Sequence, residues 1–348
     1  MKQTGARTAF GAGLITLDII IQQKQTPGIA HAAGGTCGNV IAALAYLGWN
    51  TTPVGRLGAD AAGNAIRHEF RRLGVSPCQL TREDELNSTR IVQFLVERQN
   101  GIQHRFGFSC PTCGNPFSRF RPPTLEQAET VLAKQEAPDV FFFDRVSAAI
   151  LAMASEFRKR GALIYFEPSG VGRPANFAKA LAVAHVVKYS SERMHGVPTA
   201  LGSLDGQRLE IETQGAKGLR FRWLGDGVMK PWHKQPAFKV RTLRDAAGAG
   251  DWCTAGFLYQ LDWKKGREFA ELGEDELSPA LMFGQALAAL NCQHVGARGA
   301  TIEVDLAAML NSVSVVQASG TTDVPATPQS LKTTTRGQPV SCQTCLRD

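Results

Sequence analysis

Short apolar runs alternate along the chain with longer segments of helical spacing, a rhythm that predicts βαβ units and a mainly parallel sheet. Thr8 to Leu14 predicts a first strand, and Asn39 to Leu47 a helix of small and apolar residues stopped by Gly48. Thr52 to Gly55 predicts the next strand, and Ala62 to Leu73 a helix ended by Gly74. Asp139 to Phe143, Leu163 to Phe166 and Val186 to Tyr189 are each apolar enough to be strands inside a buried sheet. Two stretches break the rhythm. Ile19 to Gln25 is one; the other is Thr89 to Phe108, where RIVQFLVERQNGIQHRFGF alternates about a turn at Asn100-Gly101 like a hairpin. They predict a small separate sheet, or lid, built from segments near 19–33 and 88–108. After Leu310 the composition shifts to Ser, Thr, Pro and Gln, so residues 1–312 read as the folded domain and 313–348 as a flexible tail.

The chain has 348 residues, 43% hydrophobic and 20% charged, enough for one large α/β domain or two modest ones. Its net charge of +7 is spread among acids rather than gathered into tracts. That describes a mildly basic surface, suited to phosphorylated ligands. Nucleic acid is not an expected partner, because aromatic residues are not interleaved with a basic stripe. No window approaches the roughly 18 apolar residues of a membrane span, and the first residues lack the pattern of a signal peptide. A cytoplasmic protein with no membrane partner is the expectation. Cys37, Cys253 and Cys292 sit in apolar or glycine-rich surroundings, as in reduced proteins. Cys110 and Cys113, in SCPTCG, have the gap of a zinc knuckle, and Cys342 and Cys345, in SCQTCL, repeat it. Together they can supply four thiolates to a structural zinc; the other readings are unrelated exposed pairs, a redox pair or a remnant.

The most informative stretch is DAAGAGD, from Asp245 to Asp251, followed by the apolar run WCTAGFLYQL. Small residues let the backbone approach a ligand, and the amides of Gly248, Ala249 and Gly250 at a helix start would point at an anion. Such a site suits the charge spread over a phosphoryl group in transfer, while Asp251 on the same turn can accept a hydroxyl proton. The alternative is that Asp251 only caps the helix.

DAAGAGDWCTAGFL resembles the second signature of the ribokinase-like (PfkB) family, in which the glycine turn is the anion hole and the final Asp the catalytic base. GGTCGNVIAALAYLG is similar to the first signature, whose paired glycines, here Gly34 and Gly35, hinge the lid and whose Asn, here Asn39, touches the sugar. VGRLGADAAGNAIRHEFRRLGV follows in family order, and Gly13 and Asp18 in GLITLD match an opening strand whose Asp binds substrate hydroxyls. TQGAKG, from Thr213 through Gly215 to Gly218, resembles a nucleotide-binding strand-turn, and FGQALAALNCQHVGARGA, containing Asn291, resembles the helix and loop beside the adenine. The resemblance spans about Thr8 to Met309. It implies a ribokinase-like doubly wound sheet flanked by helices with a small β-sheet lid, and a carbohydrate kinase using ATP and Mg²⁺ on a sugar or sugar-like molecule. It also implies a homodimer through the lid. Alternatives stay open at single residues: Asp18 can end a strand, Asn39 can cap a helix, and Gly215 and Gly218 can be turn glycines alone.

The chain departs from the family pattern in places. Ala246 and Ala247 stand for the commoner threonines beside Asp245, where carbonyls can still hold K⁺. In VVKYSSERM, which carries Lys188, the family's Asn and Glu become Ser190 and Arg193, leaving Glu192 one place early as the candidate that organises magnesium. Glu167 replaces an Asp in YFEPSG. These changes leave a second reading, a non-catalytic ligand-binding or regulatory protein on the same fold. A dinucleotide-binding oxidoreductase is disfavoured: the GAG at Gly11 to Gly13 lacks its third glycine and runs on as strand.

Overall fold

A computed structural model describes residues 6–22, 28–98, 101–194, 206–225, 228–261, 263 and 269–322. Its first half runs β1 (Thr8–Ala12), β2 (Thr16–Gln22), β3 (Gly28–Gly34), α1 (Thr36–Tyr46), β4 (Asn50–Gly58), α2 (Ala61–Arg72), β5 (Leu80–Glu83), β6 (Arg90–Arg98) and β7 (Gly101–Gly107). Then come α3 (Leu125–Lys134), β8 (Val140–Phe143), α4 (Ala148–Lys159), β9 (Leu163–Phe166), α5 (Pro174–Val183), β10 (Val186–Ser190), β11 (Arg208–Thr213), β12 (Leu219–Gly225), β13 (Val228–Met229) and β14 (His233–Gln235). The C-terminal part is helical: α6 (Ala249–Gln260), α7 (Glu274–Asn291), α8 (Ala300–Glu303) and α9 (Leu306–Ser319). No helix among the described residues is long and apolar enough to cross a membrane.

The large sheet has the order β13-β12-β11-β10-β9-β8-β1-β4-β5, with β14 also paired to β12. From β11 to β5 its strands are parallel, and β12 turns antiparallel at one edge. The apolar strands are apolar because both faces are covered. In β8, Phe142 points into the core shared with α1, α6, α7 and α9, while Phe141 and Phe143 point into the core under α3, α4 and α5. Phe143 stacks on Phe166 of β9 at 4.6 Å. Capping follows the sequence: Asp60, Thr124, Ser147 and Asp305 accept amide hydrogen bonds at the starts of α2, α3, α4 and α9.

The segments that break the rhythm form a separate small sheet, β3-β2-β6-β7, in which β2 and β6 run parallel between two antiparallel edges. Asn100 of the expected turn lies outside the described residues, as do residues 23–27.

Several boundaries move: β1 ends at Ala12 rather than Leu14, and α1 starts at Thr36 rather than Asn39. The strand read over Thr52 to Gly55 extends across Asn50–Gly58; Pro53 is tolerated because β5 pairs with β4 only from Gly55 onward. The composition shift after Leu310 falls inside α9, which runs to Ser319 with Val313 and Val316 buried. Those two are one helical turn apart, a spacing that the surrounding serines hide from a compositional reading. Thr322 closes the described chain, buried and bonded to Lys239, Arg241 and Gln293. The folded region therefore reaches past 312, and the CxxC pair at Cys342 and Cys345 lies outside the described residues.

Helices α6 and α7 meet through glycine. A side chain at Gly284 would collide with the Cys253 carbonyl, and one at Gly256 would come within 2.7 Å of the Gly284 Cα. Gly284→Ala should therefore cost about 1–3 kcal/mol by urea denaturation; unchanged stability would show that the helices separate freely.

Candidate active site

The C-terminal ends of the parallel strands, where open α/β sheets bind ligands, gather the polar groups. Helix α6 starts there. Gly248 precedes it in the left-handed conformation (φ 72°), and a side chain at this position would strike Ala297. The amides of Ala249, Gly250 and Asp251 form the first turn of the helix, where no intrahelical acceptor exists and the dipole is positive. Asp251 is thus the third helical residue, not the cap.

Three buried side chains hold this turn. Asp245 accepts from the amides of Ala247 and Gly296, each at 2.7 Å. Asn291, fully buried, donates to the carbonyls of Ala247 and Ala297 and accepts from Ala300 N. Trp252 Nε1 donates to Ala297 O at 3.0 Å. Asp245 and Asn291, expected beside the nucleotide, thus bond backbone groups that shape the turn.

Asp251 receives a hydrogen bond of 2.7 Å from Asn39 Nδ2. Asn39 lies inside the first turn of α1, whose cap is Gly35 (φ 82°), so it caps nothing and its amide is directed at Asp251. Lys188, the central residue of β10, is buried and paired with Glu167, which also accepts from Thr254 Oγ1 at 2.7 Å. A side chain at Gly250 would come within 3.7 Å of Lys188 Nζ and 3.9 Å of Glu167 Oε1, so this pair flanks the turn. Burial, and then the Glu167 charge, push Asp251 well above the usual carboxylate range, against the opposing pull of Asn39, Lys188 and Arg193.

Asp18 lies in mid-strand of β2 and does not end it. Its carboxylate accepts from Thr16 Oγ1 at 2.6 Å and Gln93 Nε2 at 2.8 Å, and it fills the space that a side chain at Gly34 would need. Burial raises it from its ordinary 3.8 to about 6. At the end of β8, Asp144 accepts from Leu14 N at 2.8 Å, pairs with Arg145, and occupies the volume that makes residue 13 a glycine.

On the other flank, Glu192 and Arg193 are exposed on the turn after β10. Gly215 (φ 57°) faces Glu192, Gly218 (φ 98°) is required by the close passage of Gln235 and Ala237, and Thr213 Oγ1 bonds Tyr189 O at 3.3 Å. The turn reading of both glycines is therefore sufficient for the backbone. Cys110 and Cys113 sit in a tight loop after β7, closed by Gly114 N donating to Cys110 O and Cys110 N to Asn115 O. Among the described residues, no group of three or more His, Cys, Asp or Glu could hold a metal.

The sequence reading missed Arg298 and Glu69. Arg298 donates to Asn39 Oδ1 and to Glu69 Oε1, each at 2.8 Å, and Glu69 Oε2 accepts from Ala33 N at 2.5 Å. Both lie within quoted motifs, but nothing in linear spacing marks two residues 229 positions apart as partners.

Residues 195–303 match the pfkB family carbohydrate kinase profile. The chain is 25% identical over 286 residues to an ATP-dependent ribose-1-phosphate kinase of Halopiger xanaduensis, covering 81% of this chain and 87% of that one. Its fold matches a fructokinase with bound ATP from Xylella fastidiosa (TM-score 0.63, 21% identity, 89% of this chain and 98% of that one). It also matches a nucleoside kinase from Burkholderia thailandensis in complex with inosine (TM-score 0.61, 17% identity, 90% and 97%). The chain carries a PfkB-family match over residues 195–303 and has the ribokinase-like fold. The two segments that resemble the family signatures, 34–48 and 245–258, meet at the Asn39–Asp251 hydrogen bond.

Buried charge here costs stability. Because Asp18 titrates higher folded than unfolded, its contribution is fully present below pH 3.8 and is lost as the pH rises through about 6. Asp18→Asn keeps the shape without the charge, and the buried, unpartnered Gln93 Oε1 can turn to accept from the new amide. The variant should exceed wild type at pH 8 by roughly 1–3 kcal/mol in chemical denaturation and lose that advantage at pH 4; equal stability at both pH values would refute the buried-charge account.

Proposed function

We propose that this chain transfers the γ-phosphoryl group of ATP to a hydroxyl of a sugar or sugar-like molecule. The observation that carries the reading is the position of Asp251: a half-buried carboxylate held by Asn39, on the same helical turn as the Gly250 amide. An in-line transfer needs these two things together, a base at the attacking oxygen and fixed dipoles at the transferring group. Gly248, Ala249 and Gly250 form the anion hole, Asp251 takes the hydroxyl proton, and Lys188, neutralised by Glu167 in the resting state, adds positive charge beside the turn. Asp18, with Asn39 and the Gly34-Gly35 hinge, holds substrate hydroxyls. The nucleotide lies along residues 213–218. The Halopiger, Xylella and Burkholderia relatives, named for ribose-1-phosphate, fructose and nucleoside phosphorylation, support a furanose-like substrate.

The small sheet acts as the lid, excluding water once substrate is bound, and residues 1 to about 322 form one kinase domain. Phe108, 66% exposed at the end of the small sheet, gives a second copy apolar surface to cover, which supports a dimer through the lid. Cytoplasmic location follows from an intracellular ATP supply.

Magnesium keeps several waters and needs one or two carboxylates besides phosphate, a requirement that exposed Glu192 fits; bound there, it would neutralise phosphate charge. Potassium would rest on backbone carbonyls around Ala246 and Ala247, since the Asp245 carboxylate is already taken by two amides. Cys110 and Cys113 would give zinc two thiolates, with Cys342 and Cys345 as the remaining pair. Metal analysis should find one zinc per chain, lost in Cys113→Ser; a zinc-free wild type would overturn that site.

Asp251→Asn should lower kcat by about 10²–10⁴-fold while ATP still binds. In the wild type, kcat/KM should rise with pH along an acid limb above the ordinary carboxylate range, and Glu167→Gln, which removes the charge opposing ionisation, should move that limb to lower pH. Retained turnover in Asp251→Asn would end the assignment. ATP binding without turnover on any sugar or nucleoside would favour the regulatory reading.

A further inference from the structure

The amide of Asn39 can present either its oxygen or its nitrogen to Asp251, and the two orientations have opposite effects on a base. Nitrogen toward Asp251 donates to the carboxylate and favours its ionised form; oxygen toward Asp251 requires a proton between them and favours the acid. Nothing within Asn39 chooses between these. The choice is made on the far side of the amide, where Arg298 Nη1 donates to Asn39 Oδ1 at 2.8 Å. A guanidinium has donors only, so the oxygen must face Arg298 and the nitrogen must face Asp251.

We propose that Arg298 is a positioning residue that fixes the Asn39 amide as a donor to Asp251 and so keeps the catalytic base ionisable. Arg298 is itself held: Nη2 donates to Glu69 Oε1 at 2.8 Å, in an ion pair whose side chains are 6% and 17% exposed. Glu69 is fixed in turn by Ala33 N. The relay is therefore Glu69, Arg298, Asn39, Asp251, each link a single hydrogen bond between side chains from α2, the loop after α7, α1 and α6.

The other groups that face Asp251 make this choice consequential. Glu167 opposes its ionisation; Lys188 and Arg193 favour it; Cys37, fully buried on α1, is neutral at physiological pH because burial and nearby Asp144 and Asp251 raise its thiol. Lys188 is already paired with Glu167. Asn39 is thus the one direct hydrogen-bond donor to the Asp251 carboxylate among the described side-chain contacts, and its loss or reversal is not compensated by a neighbour.

The inference rests on Asp251 as the base, and it is tested by a readout that does not require turnover: the ionisation of the Asp251 carboxyl, followed by ¹³C NMR in protein labelled at Asp carboxyl carbons and assigned by the signal missing from Asp251→Asn. Arg298→Met should raise the Asp251 midpoint by about one pH unit, and Arg298→Lys, which keeps a donor, should restore part of the shift. If Asp251 is the base, the acid limb of kcat/KM moves by the same amount. In an Asn39→Ala background, Arg298→Met should no longer move the Asp251 midpoint, because the relay is already cut. That double variant also separates the relay from a direct field effect of the guanidinium, which would persist without Asn39. An unshifted midpoint in Arg298→Met, or an equal shift with and without Asn39, overturns the proposal. A shifted midpoint with full turnover in Asp251→Asn would instead uphold the relay and remove Asp251 from catalysis. Where Arg298→Met folds poorly, Arg298→Lys and Glu69→Gln carry the same measurement, the latter expected to give a smaller upward shift.

Discussion

The structure is organised around keeping carboxylates ionisable where water is scarce. Asp144 follows β8 at the C-terminal edge of the large sheet, Asp251 lies on the first turn of α6 and Asp18 in mid-strand of the small sheet, and burial raises each of them above its ordinary value. Isolated, such groups would take up protons and lose their use as acceptors. Each is instead supplied with donors, local or distant in the chain: Thr16 and Gln93 for Asp18, Arg145 and Leu14 N for Asp144, Asn39 for Asp251. The two glycines that would otherwise carry side chains into these carboxylates, Gly13 and Gly34, follow from the same demand.

The parallel sheet is what brings those donors within reach. With strands covered on both faces, the apolar run of each strand ends abruptly and the first polar residue beyond it emerges at one common edge. Glu167 after β9 and Lys188 at the centre of β10 meet because their strands are neighbours in register. The longer Glu167 side chain, where the family carries Asp, spans from Lys188 to Thr254 on α6, so the substitution links sheet to helix as well as preserving charge.

The fold was legible in the sequence because burial leaves a periodic trace: the Phe-rich β8, the helix ended by Gly48 and the broken rhythm of the small sheet all stand where the pattern placed them. The site was legible where short motifs carry it, as in Asp251 at the head of α6 and Asn39 in α1. The backbone contacts of Asp245 and Asn291 were not legible, since a motif does not state which backbone groups a polar side chain will meet. Arg298 and Glu69 left no trace, because their partnership exists only through long-range packing. The end of the domain was misplaced for a related reason: Val313 and Val316 are sparse apolar positions in a polar helix, and composition averages them away.

The turn ahead of α6 has two hydrogen bonds of its own, from Ala247 N to Asp245 and from Ala249 N to Ala246 O, and otherwise leans on residues 291–297. Its left-handed glycine rests on Ala297, its carbonyls are held by Asn291, and its aspartate reaches forward to Gly296. During synthesis the nascent chain would present the whole sheet, and both signature motifs, well before residues 291–300 leave the ribosome. A chain interrupted in that interval would carry Asn39, Glu167, Lys188 and Asp251 yet lack the contacts that shape the turn. The shape of the turn would thus arrive abruptly, once residues 291–300 pack against it.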